Sequence, residues 1–217
     1  LFGVYIALPW LAPVLMKLGA TGPALILYFI YALDCHQLPE RAYYLFGEKS
    51  MYSLAEIQAA WQPTRNPLIL RQFLGNDLMG YKVAWCDRTT AMYGAIWVFM
   101  GLGRLLFKPL RALPLWAFAL LTLPVIIDGG THMVSDMAGL GLGFRETNAW
   151  LASLTGNAFP PAFYATDVVG SFNWWMRLGT GTLFGLGIVW LAYPALDAFF
   201  TDVVARLQAK FAAARSM

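Results

Sequence analysis

The sequence predicts an all-α fold, a polytopic transmembrane helical bundle of about five spans with short interfacial helices in its outer loops. Three observations carry that expectation. Hydrophobic residues make up 59% of the chain and charged residues only 12%, about half the charged share of an ordinary soluble domain. Apolar stretches approaching the ~17–25 residues a bilayer core requires recur along the chain. The 9 Trp, 10 Tyr and 15 Phe supply the aromatic side chains that membrane–water interfaces favour.

Each element follows from the residues in turn. Residues 1–16 form the first apolar segment, kinked by Pro9 and Pro13 and stopped by Lys17-Leu18-Gly19; membrane helices tolerate such prolines. Because the sequence opens on Leu1 rather than Met, a cleaved signal or a further N-terminal segment is expected to precede it. Residues 23–33 form a second, shorter segment, half-length or tilted, that runs into Asp34-Cys35-His36. Residues 37–89 are polar, yet Ser53 followed three positions later by Glu56 reads as a helix capping box, so this outer loop is expected to be ordered. Residues 90–107 make a third span with Arg104 placed to snorkel, followed by the basic turn Lys108-Pro109-Leu110-Arg111. Residues 113–127 make a fourth, bent at Pro124 and stopping at Asp128-Gly129-Gly130. A second polar outer loop occupies 134–176, and 178–200 is the strongest span, its only charge Asp197. The bundle thus covers 1–200, and 201–217 is an amphipathic cytoplasmic tail bearing Arg206, Lys210 and Arg215.

Basic residues near helix ends favour the cytoplasmic side. Lys17, the Arg104/Lys108/Arg111 turn and the tail all fall on one side. The expected placement is a multi-pass protein of the bacterial inner membrane, N-terminus outside and C-terminus cytoplasmic. A net charge of +3 with no basic run or aromatic-interleaved basic strip argues against nucleic acid as a partner.

This threading carries both cysteines and both histidines to the outer boundary: Cys35, His36, Cys86 and His132. Three readings compete for them. Cys35 and Cys86 can form a disulfide on the oxidising side. Two thiolates and two imidazoles form a set that zinc accepts, although Cys35 and His36 lack the intervening residues of usual structural zinc pairs. Or all four are structural. Glu40, Arg41, Asp128, Arg145 and Glu146 are expected to pair across the loops that cap the helices. No Ser-His-Asp order, paired catalytic carboxylates or phosphate loop is present, and Gly139-Leu140-Gly141-Leu142-Gly143 lacks the strand–turn–helix context of a dinucleotide motif. In the last helix, Gly181 and Gly185 sit four apart, a spacing that lets helices approach closely. That face serves packing within the chain or docking of another protein, and its aromatic neighbours Phe184, Trp190 and Tyr193 suit lipids, pigments or quinones.

Several strings occur in a distinctive order: Cys35-His36-Gln37-Leu38-Pro39-Glu40-Arg41, Gly80-Tyr81-Lys82-Val83-Ala84-Trp85-Cys86-Asp87-Arg88 with Tyr93-Gly94, Asp128-Gly129-Gly130-Thr131, Arg145-Glu146-Thr147-Asn148 and Leu154-Thr155-Gly156. In these the chain resembles a family of small prokaryotic membrane proteins catalogued as a domain of unknown function, number two-zero-eight-five, and the longer outer loop is similar to versions from green non-sulfur bacteria. Many relatives carry a second cysteine where this chain has Thr89, and Gln where it has His132. The resemblance implies a membrane fold and supplies no activity.

The function expected on these grounds is a non-catalytic accessory subunit of a larger membrane complex of electron-transfer or photosynthetic type. It would contact other membrane subunits and lipids, with a structural Cys/His cluster at the outer interface. The alternative is a membrane-embedded oxidoreductase or metal-dependent enzyme using that cluster; a small transporter is a third reading, against which stands the lack of an internal repeat.

Overall fold

A computed structural model describes the backbone of residues 2–106 and 112–215. The expected basic turn at Lys108 and Arg111, and the snorkelling side chain of Arg104, lie outside the described residues.

The chain opens with a helical hairpin. Helix α1 (Phe2–Lys17) and helix α2 (Thr21–Tyr31) are joined at Gly19, whose φ of +78° closes the helix. The Ala20 N–H reaches back to the Leu15 carbonyl at 2.9 Å, the closure a left-handed glycine permits. Both prolines of α1 are buried. Tyr28 and Tyr31 of α2 form a core with Ala12, Cys35 and the Val83-Ala84-Trp85 stretch, against which Tyr5 and Tyr93 also pack.

The loop 37–89 is ordered, as expected, but it is not helical alone. A 3-10 turn (Pro39–Arg41) leads into strand β1 (Ala42–Leu45). Helix α3 (Leu54–Ala60) follows, opened by the anticipated capping box: the Ser53 hydroxyl accepts from Glu56 N–H and the Glu56 carboxylate from Ser53 N–H. Helix α4 (Pro67–Leu70) and strands β2 (Gly75–Asn76) and β3 (Gly80–Cys86) complete the region. The strands form an antiparallel sheet in the order β1-β3-β2. The all-α expectation is corrected here. Strand β3 escapes a pattern reading because Lys82, Val83, Ala84 and Trp85 are all buried, so the two-residue alternation that marks a half-exposed strand is absent.

Helix α5 (Asp87–Leu106) leaves the sheet directly, and helix α6 (Leu115–Asp136) returns. Short helices α7 (Phe144–Thr147), α8 (Ala149–Leu154) and α9 (Pro161–Tyr164) lead to helix α10 (Phe172–Arg215), which packs along α5 and α6. Gly181 and Gly185 make the α5 contact: a Cβ at Gly181 would lie 2.8 Å from the Arg88 carbonyl, and one at Gly185 2.5 Å from that of Met92. That glycine face is therefore used inside the chain.

Two described helices, rather than about five, are long and apolar enough to cross a membrane: α6, and α10 over Phe172–Ala214. With 16 and 11 residues, α1 and α2 reach only ~24 and ~16 Å at 1.5 Å per residue, against a hydrocarbon core of ~30 Å. The fourth expected segment is longer than its apolar stretch: α6 runs through Asp128-Gly129-Gly130 to Asp136. Residues 201–215 continue α10 without a break.

Candidate functional site

The start of α5, the end of α6, the start of α10 and the 3-10 turn converge, and their polar side chains form a buried ion-pair lattice. Arg177, in the second turn of α10, lies at its centre. Its Nε donates to both carboxylate oxygens of Asp87 at 2.9 and 2.8 Å, its Nη1 to Asp167 Oδ1 at 2.6 Å and its Nη2 to the Asp167 carbonyl at 2.8 Å. Asp167 also accepts from Arg41 Nε at 3.3 Å, and Arg41 grips Asp136 with two parallel bonds of 2.7 and 2.8 Å. Such two-pronged pairing adds direction to charge. Glu146 stands 3.7 Å from the same guanidinium.

A second cluster centres on Asp128, which accepts from Arg145 at 2.5 Å and from Arg88 at 2.7 Å. Arg145 Nη2 also lies 3.1 Å from His132 Nε2, and its guanidinium covers the Phe172 ring at 5.3 Å. Asn148 holds the segment in place. Its backbone is left-handed (φ 41°) and its buried amide donates to the carbonyls of Arg145 and Tyr164 at 2.8 and 2.7 Å. Asn173 of α10 donates to the same Arg145 carbonyl at 2.8 Å.

Four guanidiniums (Arg41, Arg88, Arg145, Arg177) thus face five carboxylates (Asp87, Asp128, Asp136, Glu146, Asp167). The acid in excess shows in the titration. Burial, reinforced by the neighbouring Asp167, pushes Glu146 up to about 7. Burial also opposes ionisation of Asp167, but Arg177 and Arg41 outweigh it and hold that carboxyl well below the usual range. Glu40 is buried beside the lattice, neither oxygen accepting a hydrogen bond, and burial raises its pKa against the pull of Arg41. Lys82 is fully buried too; its ammonium donates to the carbonyls of Gln37 and Arg71 at 2.8 and 2.7 Å, and burial lowers it to about 7.

Next to the lattice lies a thiol corner. The Cys35 sulfur accepts from the backbone N–H of Cys86 at 3.1 Å and of Gln37 at 3.4 Å. Gln37 is left-handed (φ 55°), held there by its amide, which donates to the carbonyls of Tyr28 and Ala84 at 2.8 and 2.9 Å. Cys86, the last residue of β3, has its sulfur 3.1 Å from the Thr89 hydroxyl in the first turn of α5. The neighbouring Cys86 thiol and burial raise Cys35, and Cys35 in turn lowers Cys86 to about 5. Both are free.

Of the four residues expected to cluster, the structure joins Cys35 and Cys86. His132 contacts Arg145 and lies 3.8 Å from Asp128, and His36 is exposed. Among the described residues no group of three or more His, Cys, Asp or Glu is placed to hold a metal ion. Of the expected loop-capping charges, Arg41 meets Glu146 and Arg145 meets Asp128, whereas Glu40 has no hydrogen-bond donor. Sequence reasoning assigned no role to Asp87, Arg88, Asp136, Asp167 or Arg177. One signal was available: a guanidinium six residues into an otherwise apolar helix is costly at membrane depth and calls for partners.

No curated protein and no solved structure matches the chain. A family match covers residues 77–191, more than half of the sequence, and takes in β3, α5, α6 and every lattice residue named above except Arg41. The chain belongs to the family described as predicted membrane protein (DUF2085).

Proposed function

We propose that the protein is an accessory subunit of a larger membrane assembly, held to its partner through the far end of α10. The observation that carries this reading is the length of that helix. Its 44 residues extend ~66 Å at 1.5 Å per residue, roughly twice the ~30 Å hydrocarbon core. The uncharged stretch between Arg177 and Asp197 suits that core in length, so the remainder leaves the lipid on the side away from the lattice. There every described side chain over 195–214 except Val203 is exposed. Leu196, Phe200, Val204, Leu207 and Phe211 recur at three- and four-residue spacing along one face, each 47–67% exposed. A straight helix carries that face away from the lipid, where it fits a partner helix in a coiled-coil-like seam.

In this reading α5, held along α10 by Gly181 and Gly185 and exposing Trp97 and Val98, is a third crossing. The protein is a multi-pass component of the bacterial inner membrane, with the lattice at the outer boundary and the end of α10 in the cytoplasm. The lattice acts as the clasp that fixes α5, α6 and α10 for docking. Purification of the native protein in mild detergent should bring down a stoichiometric partner that is lost when the chain is cut after Ala195. A lone, monodisperse species from the native membrane contradicts the reading.

A further inference from the structure

Glu40 is an acid that no donor reaches. The 3-10 turn Pro39–Arg41 buries it, and among the described residues nothing donates a hydrogen bond to either carboxylate oxygen. The two cations beside it are engaged elsewhere. Arg41 directs Nε to Asp167 and both Nη atoms to Asp136, with Glu146 3.7 Å away. Lys82 of β3 donates to the carbonyls of Gln37 and Arg71. The acidic neighbours Asp136, Asp167 and Glu146 repel a negative charge at this place. Tyr44 of β1 adds a buried hydroxyl that itself lacks a partner. Helix α3, packed on the turn, brings Glu56, whose carboxylate is held by Ser53 and Lys49.

A buried carboxylate without a partner is so costly that such a group takes up a proton instead. A neutral acid suits the same place. It adds no charge to a lattice in which five carboxylates already face four guanidiniums. Burial raises the Glu40 pKa accordingly, against the pull of Arg41. The turn that carries Glu40 also carries Arg41, through which loop 37–89 is tied to Asp136 of α6 and to Asp167 ahead of α10. Charge at Glu40 therefore bears directly on that tie.

We propose that Glu40 is a proton-binding site of the lattice, and that release of its proton loosens the hold of the 3-10 turn on α6 and on the segment before α10. The O–H bond breaks and the proton goes to water. The carboxylate left behind competes with Asp136 and Asp167 for the Arg41 guanidinium and repels both. Acid closes this latch and alkali opens it. The site belongs to loop 37–89 and owes nothing to docking at the far end of α10, so either reading can fail alone.

The experiment compares the full chain in mild detergent with Glu40→Gln, which keeps the shape of the protonated acid and cannot ionise. With a raised folded pKa, the proton's contribution is complete below the unfolded value of about 4.3 and is lost as pH rises through the folded one. Between those values Glu40→Gln should gain on the wild-type unfolding midpoint by about 3–5 °C per pH unit. Glu40→Met, neutral and of similar length, should gain likewise. The infrared difference spectrum, wild type minus Glu40→Gln, should show the C=O stretch of a protonated carboxyl about one pH unit above the ordinary carboxyl value. Maleimide labelling of buried Cys35, in a Cys86→Ser background, should accelerate with pH several-fold more with Glu40 present than in Glu40→Gln. Parallel midpoints, parallel labelling, an ionised carboxylate in the infrared, or failure of both neutral variants to fold overturns the proposal. So does a midpoint that sodium or potassium raises relative to choline in wild type but not in Glu40→Gln, since the ligand would then be a metal ion.

Discussion

The two ends of α10 obey opposite rules. At its start, Arg177 is only 2% exposed and each of its nitrogens has a carboxylate or carbonyl partner. At its far end, Phe199, Phe200 and Phe211 are 60–67% exposed. Charge inside and hydrocarbon outside reverse the order of a soluble protein. The lattice end pairs its guanidiniums with carboxylates of the same chain. The far end exposes its apolar side chains, for which we propose a partner helix, and a change at either end should reveal which kind of end it is.

The largest expected effect is at the lattice. Arg177→Ala strands Asp87 as a buried, uncompensated carboxylate and leaves Asp167 with Arg41 alone, a loss of about 3–5 kcal/mol. The thermal unfolding midpoint in mild detergent, followed by tryptophan fluorescence, should fall by about 10 °C or more. An unchanged midpoint would show that the lattice does not hold the helices.

The next effect is a pH dependence, again confined to this end. Glu146 titrates at about 7 in the folded chain against an ordinary value of about 4.3 when unfolded. A raised folded pKa means that the folded state holds the proton more tightly. Its contribution is complete below about pH 4.3 and is lost as pH rises through about 7. At ~1.4 kcal/mol per unit the whole change is at most about 4 kcal/mol. Thermal stability should decline over that window in the wild-type chain, and the Glu146 contribution should vanish in Glu146→Gln. An identical slope in the variant removes Glu146 as the cause.

A smaller loss tests the helix contact between the two ends. Gly185→Val forces its Cβ toward the Met92 carbonyl and the Ala95 methyl, an overpacking of about 1–3 kcal/mol. The same thermal measurement reads it, and no shift would mean that α5 and α10 are not in close contact. The smallest effect on stability belongs to the far end. Phe200→Ser with Leu207→Ser should leave the unfolding midpoint within about 0.5 kcal/mol of wild type yet release the co-purified partner. A large destabilisation would mean that the stripe packs within the chain.

Residue chemistry read along the chain conveyed the membrane class, the α1 and α3 helices and the approach of Cys35 to Cys86. It erred where distant groups decide local structure. Asp128 reads as a helix stop because an isolated carboxylate ends an apolar run. It lies inside α6 because Arg88 and Arg145, brought by other elements, neutralise it. Strand β3 carries a lysine among buried residues and shows no alternation, since its ammonium is capped by carbonyls at positions 37 and 71. The lattice itself joins residues 90, 95 and 126 positions apart, separations at which one sequence offers no pattern. Only the cost of a lone arginine in an apolar helix pointed toward it.

The central claim is that α10 crosses the bilayer, holding the lattice at one boundary and the apolar stripe beyond the other. Single cysteines introduced at Asn157, in the exposed loop beside the lattice, and at Gln208, on the far end of α10, test it in a Cys35→Ser/Cys86→Ser background. An impermeant maleimide applied to intact cells should label the first and reach the second only after permeabilisation. Equal labelling of both in intact cells would place the two ends on the same side and contradict the account.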